Sequence, residues 1–289
     1  MSASQPFPDP RTLLRRHGLR AKKSWGQNFL IAESVYRAIV DAAVESNEDW
    51  VVDVGAGLGT LTMRLAERVP EGRVIAVERD PDLVAVLEAE LGHLDNVDVH
   101  PANALTYDLS GIARWRGAPV GLVGNLPYQI AAPLLFRFIE QRQHLSRIVV
   151  MLQREMAERL LAAPATSAYG ALGVLVRAWA DVSLVVRARA TAFAPPPKVE
   201  SAVVRIVPLA GNAPRVPLGA PGQFREVVNA AFGQRRKVLR NALRARFAAE
   251  QVDAALDRAH IDGVRRGETL SIEELAAVTL ALAEAGGFA

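Results

Sequence analysis

The run Asp53-Val54-Gly55-Ala56-Gly57-Leu58-Gly59-Thr60, set between a short β-branched stretch and a helical repeat, constrains the fold of this chain more than any other feature. Val51, Val52 and Val54 read as a buried strand, and Leu61, Leu65 and Val69 recur at i, i+4 and i+8 as one helix face. Val74-Ile75-Ala76-Val77 then reads as a second strand. Strand, glycine turn, helix and strand make a βαβ unit, and the alternation continues. Leu83, Val84, Leu87 and Leu91 mark a helix stopped at Gly92, and strands are expected around Val97 and Val99 and over Val120, Leu122 and Val123. A helix over 134–139, a strand over 148–152 and a helix over 154–161 follow. Two late strand-like runs, 182–186 and 202–207, flank Pro195-Pro196-Pro197 and suit an antiparallel edge on a doubly wound, mostly parallel α/β sheet.

Glycines at the first strand–helix turn let backbone approach a ligand at the helix N-terminus, so Gly55 and Gly57 are expected beneath one. Glu78 ends the second strand, where a carboxylate can accept from two ribose hydroxyls. A nicotinamide-binding fold shares this geometry, and a tight turn without a ligand gives the same glycines. The Gly-x-Gly-x-Gly spacing favours S-adenosylmethionine over a dinucleotide. Asn103 follows the third strand, positioned either to meet an adenine ring through its amide or simply to make a turn.

Gly124-Asn125-Leu126-Pro127-Tyr128 ends the fourth strand of this series. The lone pair of an exocyclic base amine is delocalised into the ring, so the amine attacks only when acceptors hold its N–H groups. The Asn125 oxygen and the Leu126 carbonyl are two such acceptors, Pro127 contributes no donor of its own, and Tyr128 offers a ring face to a base. A turn followed by a core tyrosine would carry the same residues. Both this segment and the glycine loop fall at the carboxyl edge of one sheet, where ligands bind in open α/β folds.

Half of the 289 residues are hydrophobic, enough for a sizeable core and about two domains. The expected division is a basic N-terminal arm over 1–24, mobile until bound, an α/β domain over 25–210, a Pro- and Gly-rich linker over 211–222, and a small all-α domain over 223–289 with about four helices. There is no cysteine, which excludes disulfides, zinc-thiolate sites and thiol nucleophiles. His17, His93, His100, His144 and His260 lie at no ligand spacing, so no metal site is expected. Neither a secretory leader nor a long apolar span is present, so a cytoplasmic protein with no membrane partner is expected. The formal charge of +3 is modest, and the placement of the basic residues matters more than their sum. Lys22 and Lys23 close the N-terminal arm, which is expected to add a second contact to RNA. Arg235, Arg236, Lys237, Arg240 and Arg244 form a run read as helical, with Arg236, Arg240 and Arg244 along one face. A solvated face is the ordinary meaning of such a run, and a base-modifying site upstream favours phosphate contact with salt-dependent binding.

Five blocks together resemble the ribosomal RNA adenine dimethyltransferases of the kasugamycin-sensitivity type. They are 22–30 (KKSWGQNFL), 55–62 (GAGLGTLT), 124–128 (GNLPY), 193–204 (FAPPPKVESAVV) and 232–243 (FGQRRKVLRNAL). The resemblance spans nearly the whole chain. It implies a Rossmann-like S-adenosylmethionine-dependent methyltransferase sheet followed by a helical RNA-binding domain. It implies N6,N6-dimethylation of two adjacent adenines in the 3′-terminal hairpin of 16S ribosomal RNA, by a monomer acting on an assembling small subunit. It places Asn28, Leu30, Gly55, Gly57, Glu78, Asn103 and Asn125 against the cofactor, and Tyr128 and Phe193 as stacking partners of a flipped adenine, a core phenylalanine beside the proline run being the other reading of Phe193. The family commonly has aspartate where Asn103 stands; an amide can still accept and donate there, so binding is expected to survive.

Three rival readings stay open at this point. The macrolide-resistance adenine methyltransferases of the large subunit share several blocks but lack the signature over 235–243. A non-catalytic nucleic-acid-binding factor on the same scaffold would not need the cofactor and amine motifs. A nicotinamide dehydrogenase is the most remote.

Overall fold

The computed structural model, which describes residues 7–22, 26–234 and 236–288, begins with a helix that the basic composition of the arm conceals. In α1 (Pro10–Arg16) the Asp9 carboxylate accepts from the N–H groups of Arg11 and Thr12, and Pro10 occupies the first turn. Asp-Pro is a helix-start signal because the carboxylate satisfies orphan donors and proline has none to lose. Leu13 is buried against Leu58, Leu83 and Val86. Arg16 and His17 both reach Glu90, whose carboxyl, despite burial, they hold below its usual range. The expectation of a mobile arm is therefore corrected for residues 7–22. They form an amphipathic piece whose apolar face joins a core cluster while part of its charge is neutralised by local acids.

β1 (Phe29–Leu30) and α2 (Glu33–Ala43) lead into the expected alternation. It runs through β2 (Trp50–Val54), α3 (Thr60–Arg68), β3 (Arg73–Glu78), α4 (Pro81–Leu91), β4 (Val97–Pro101), α5 (Leu109–Arg116), β5 (Val120–Asn125), α6 (Ala131–Glu140) and β6 (Leu145–Gln153). Next come α7 (Arg154–Leu161), α8 (Ala171–Arg177), β7 (Ala180–Ala188), β8 (Phe193–Ala194) and β9 (Ser201–Pro208). The large sheet has the order β4-β3-β2-β5-β6-β9-β7. β4 through β6 are parallel and β9 is antiparallel to β6, so the expected sheet with an antiparallel edge is what forms. Val51, Val52, Ile75, Ala76, Leu122 and Val123 are fully buried, because helices on both faces leave interior strands no solvent side. Strand order reverses between β2 and β5, which opens a crevice beyond their carboxyl ends. Gly124 permits the close approach of these two strands: a Cβ there would lie 2.7 Å from the Val54 carbonyl oxygen.

The chain divides into two units, Met1–Ala157 with Val182–Pro208, and Glu158–Asp181 with Leu209–Ala289. Residues 158–181, expected with the sheet, thus group with the C-terminal helices. The Tyr169 hydroxyl donates to the Leu270 carbonyl at 2.9 Å, Ala165 N–H donates to Glu268, and the Tyr169 ring meets Phe232 edge-on. The stretch read as a linker is also packed chain: Leu218 is buried, Arg215 N–H donates to the Ala178 carbonyl, and α9 (Pro221–Gly233) has already begun by residue 221. α10 (Leu239–Leu243), α11 (Ala249–Arg258) and α12 (Ile272–Glu284) complete this unit. α12 starts on a reciprocal cap between Ser271 and Glu274.

The basic run does not form one helix, which corrects the expected face of Arg236, Arg240 and Arg244. α9 stops at Gly233, Val238 is extended, and α10 spans only 239–243. Carbonyls of Arg265 and Gly263 take the N–H groups of Leu239 and Arg240, so the second helix is started by tertiary contact. Arg240 and Arg244 pair with Asp253, and Arg246 with Glu226. Arg236 and Lys237 are exposed; Arg235 and Lys23 lie outside the described residues. Among the described residues no helix is long and apolar enough to cross a membrane.

Candidate active site

The residues that sequence marked at the ends of strands line one cleft at the carboxyl edge of the parallel strands. Asn28 and Leu30 enter from the approach to β1 and from β1 itself, Gly55 and Gly57 from the turn after β2, Glu78 from β3, Asn103 from the loop after β4, and Asn125 to Tyr128 from the end of β5 and the residues after it. Leu83, Leu134 and Met151 supply apolar wall.

The cofactor half is built mostly by local backbone. Gly57 has φ 61°, a left-handed conformation, and a Cβ there would press on the Phe29 ring at 3.4 Å. Its N–H donates to Glu78 Oε2 at 3.0 Å, while the N–H groups of Arg79 and Asp80 donate to Oε1 at 2.8 and 2.9 Å. Glu78 is buried and fixed before any ligand arrives; Oε1 already accepts two N–H groups and Oε2 one, so the remaining lone pair is on Oε2.

Asp53, to which sequence assigned no role of its own, lies on the same wall and is 1% exposed. Thr62 Oγ1 donates to its Oδ2 at 2.7 Å. Burial pushes its carboxyl up to about 7, opposed by the Thr62 bond and reinforced by the nearby Glu78 charge. An acid ending a buried strand beside a glycine loop was the available signal. Tyr36, also missed, donates to the Leu30 carbonyl at 2.5 Å and lies 2.6 Å from Thr60 Oγ1. With its one proton committed to Leu30, the Tyr36 oxygen is the acceptor for Thr60. Burial raises this phenol to about 12, so it remains a donor at neutral pH and ties β1 to the start of α3.

The other half is the polar end of β5. Asn125 Nδ2 donates to the Asn28 carbonyl at 3.1 Å, which leaves Oδ1 as the free acceptor of that amide. Leu126 N–H donates to the Met151 carbonyl at 3.2 Å, and its own carbonyl has no donor among the described residues. Two acceptors therefore stand on consecutive residues. Tyr128 is half-buried with its hydroxyl 2.8 Å from Ser201 Oγ, which anchors the phenol. Asn103 is exposed, and its Oδ1 accepts from Leu105 N–H at 3.1 Å, so its amide N–H groups are the part left for a ligand.

Phe193 is not in the cleft. Pairing of β8 with β1 sets it opposite Leu30, and the ring, 2% exposed, belongs to a core cluster with Tyr36 and Met151. Stacking on a base needs a ring face that this packing does not present, so its expected contact is corrected to a place behind the cleft wall. Lys22 also has other work: its Nζ lies 2.7 Å from Asp80 Oδ1 and 2.7 Å from Asp82 Oδ2.

This donor set fits S-adenosylmethionine. A fixed carboxylate at Glu78, with Oε2 still able to accept, suits a ribose hydroxyl, a buried acid at Asp53 suits a cationic amino-acid end, and glycine backbone between them lets a chain pass closely.

Comparison with known proteins agrees. A family model described as ribosomal RNA adenine dimethylase matches residues 18–284. The chain is 46% identical over 286 residues to ribosomal RNA small subunit methyltransferase A of Anaeromyxobacter dehalogenans, covering 96% of this chain and 98% of that one. It is also 46% identical to the protein of the same name from Myxococcus xanthus, over 94% of this chain and 95% of that one. Among solved structures, a dimethyladenosine transferase from Plasmodium falciparum superposes with a TM-score of 0.71 at 23% identity, covering 89% of this chain and 98% of that one. The 23S rRNA methyltransferase ErmE gives a TM-score of 0.66 at 25% identity, over 89% of this chain and the whole of that one.

Proposed function

Because the chain belongs to the ribosomal RNA adenine dimethylase family, we propose that it transfers methyl groups from S-adenosylmethionine to the N6 atoms of two adjacent adenines in the 3′-terminal hairpin of small-subunit ribosomal RNA. The observation that carries this is the pair of free acceptors, Asn125 Oδ1 and the Leu126 carbonyl, on consecutive residues beside a cofactor-shaped cleft. The cofactor supplies an electrophilic methyl group when bound. Asn125 and Leu126 hold the two amine hydrogens, which withdraws the nitrogen lone pair from the ring and aims it into the cleft. Tyr128 offers its ring to the extruded base. Each transfer would form one C–N bond at N6 as one S–CH3 bond breaks, leave the donor as a neutral thioether, and release one N6 proton, which becomes acidic only as the new bond forms and passes to water. After the first transfer one N–H remains, so a single acceptor has to hold the amine for the second.

Arg236 and Lys237 are exposed and suit phosphate contact; Arg240 and Arg244, already paired with Asp253, would exchange a carboxylate for a phosphate. Relatives named for the small subunit support that substrate over the large one. Action as a cytoplasmic monomer on an assembling subunit completes the reading. The test is transfer of labelled methyl to purified small and large subunits lacking adenine methylation, followed by mapping of the modified base. Label on two neighbouring adenines near the 3′ end of the small-subunit RNA is expected; label confined to the large subunit, or cofactor binding without transfer, overturns it.

A further inference from the structure

Asp80 is fully buried yet makes no wall of the cleft. It caps α4 through a bond from Asp82 N–H, a task that asparagine or serine performs as well. A buried carboxylate is costly without partners, and Asp80 has specific ones: Lys22 Nζ at 2.7 and 2.8 Å and Gln27 Nε2 at 3.0 Å. Gln27 in turn accepts from Lys22 N–H at 2.8 Å. The acid thus holds the chain at both residue 22 and residue 27.

The residue after Gln27 is Asn28, whose carbonyl takes the Asn125 amide. Two residues further on, the Leu30 carbonyl is held by Tyr36. The Asn28 carbonyl is therefore fixed from both sides, by the Asp80 clasp before it and by Tyr36 after it. This matters because the oxygen and the NH₂ group of a primary amide are nearly equal in size, and only hydrogen-bond partners decide which faces where. A flipped Asn125 would point a donor at the amine it has to accept from.

We infer that Asp80 and Lys22 are positioning residues for the methyl transfer, holding the Asn28 carbonyl where it selects the reactive orientation of the Asn125 amide. This rests on the amine-holding role of Asn125 given above. Asp80 N–H also donates to Glu78, so one residue braces the ribose carboxylate and, through the clasp, the amine acceptor. Lys22, a basic residue expected to contact RNA, has its charge matched inside the protein by two acids, whose hydrogen bonds raise its pKa.

Asp80→Asn keeps the helix cap and removes the charge that holds Lys22. At saturating cofactor and RNA, kcat is expected to fall about tenfold, with KM for RNA changed less than about twofold. In the full-length protein, the side-chain NH₂ resonances of Asn125 lose the shift of a hydrogen-bonded amide, and backbone exchange at residues 28–30 accelerates. Lys22→Met gives the same pattern and covers the case in which Asp80→Asn folds poorly. An unchanged kcat with unchanged Asn125 resonances overturns the inference, as does a loss confined to cofactor KM. A rise in RNA KM for Lys22→Met alone would return Lys22 to the RNA. Failure of the parent reading is separate: it would show as normal transfer by Asn125→Ala, while the resonances would still report the clasp.

Discussion

Glu78 and Asn125 end strands on either side of β2 and face one cleft, but they are readied for their ligands by different means. Glu78 takes N–H groups from Gly57 and from the two residues that follow it, so its carboxylate is oriented as soon as the first βαβ turn closes. Asn125 takes its orientation from a carbonyl 97 residues earlier in the chain. The proposed cofactor side is thus preorganised by local backbone, and the proposed amine side by tertiary closure of the N-terminal segment. Under the proposed function, a cleft divided in this way should bind cofactor robustly and make transfer sensitive to distant changes.

The sharpest way to break this contrast is Asn125→Ala, which removes the side-chain acceptor. Single-turnover transfer to undermethylated small subunits should slow by about 100-fold or more, a loss typical of deleting one preorganised hydrogen-bonding group at a reacting centre. A normal rate would dissolve the distinction between the two halves. Glu78→Gln tests the other half. A neutral amide turns a donor toward backbone donors, so titration calorimetry should show cofactor affinity reduced by about 10- to 100-fold, while kcat at saturation stays close to the parent value.

The last test, read in stability rather than in rate or affinity, is at Asp53, on the strand between them. Its folded carboxyl titrates at about 7 against 3.8 for the free group, so the folded state binds more protons over that window. Stability contributed by this group is therefore present below pH 3.8 and declines as pH rises to 7, then stays level. Asp53→Asn keeps the shape without that decline. Urea unfolding should show the variant gaining on the parent by on the order of 1 kcal/mol per pH unit between pH 4 and 7 and no further above it, while the weakened Thr62 bond lowers the variant equally at every pH. A parallel pH dependence in both proteins would place the titration elsewhere.

Much of the site was legible because its signals are local. The glycine loop, Glu78 at a strand end and the Asn125–Tyr128 segment each combine a residue type with a position on a periodic element, and all line the cleft. Phe193 misled because a conspicuous aromatic beside a proline run looks the same whether it faces a ligand or a core; pairing of β8 with β1 buried it. The basic segment misled in a similar way. Helical spacing of Arg236, Arg240 and Arg244 is present in the letters, but carbonyls of Gly263 and Arg265 begin a new helix within it. α1 was missed although Asp9-Pro10 announces it, since the charges of the arm outweighed its cap.

By itself the sequence determined the parallel strands of the sheet, the edge on which the candidate site lies, and the residues that end there, because periodicity, caps and glycine turns are written in neighbouring residues. Only the tertiary structure decided which way the Asn125 amide faces, that Lys22 answers to Asp80, that Phe193 backs the wall, and that residues 158–181 join the C-terminal helices. Each of those outcomes depends on groups brought together across tens of residues. A hydrogen bond or buried contact of that kind leaves no periodic trace in the chain that makes it.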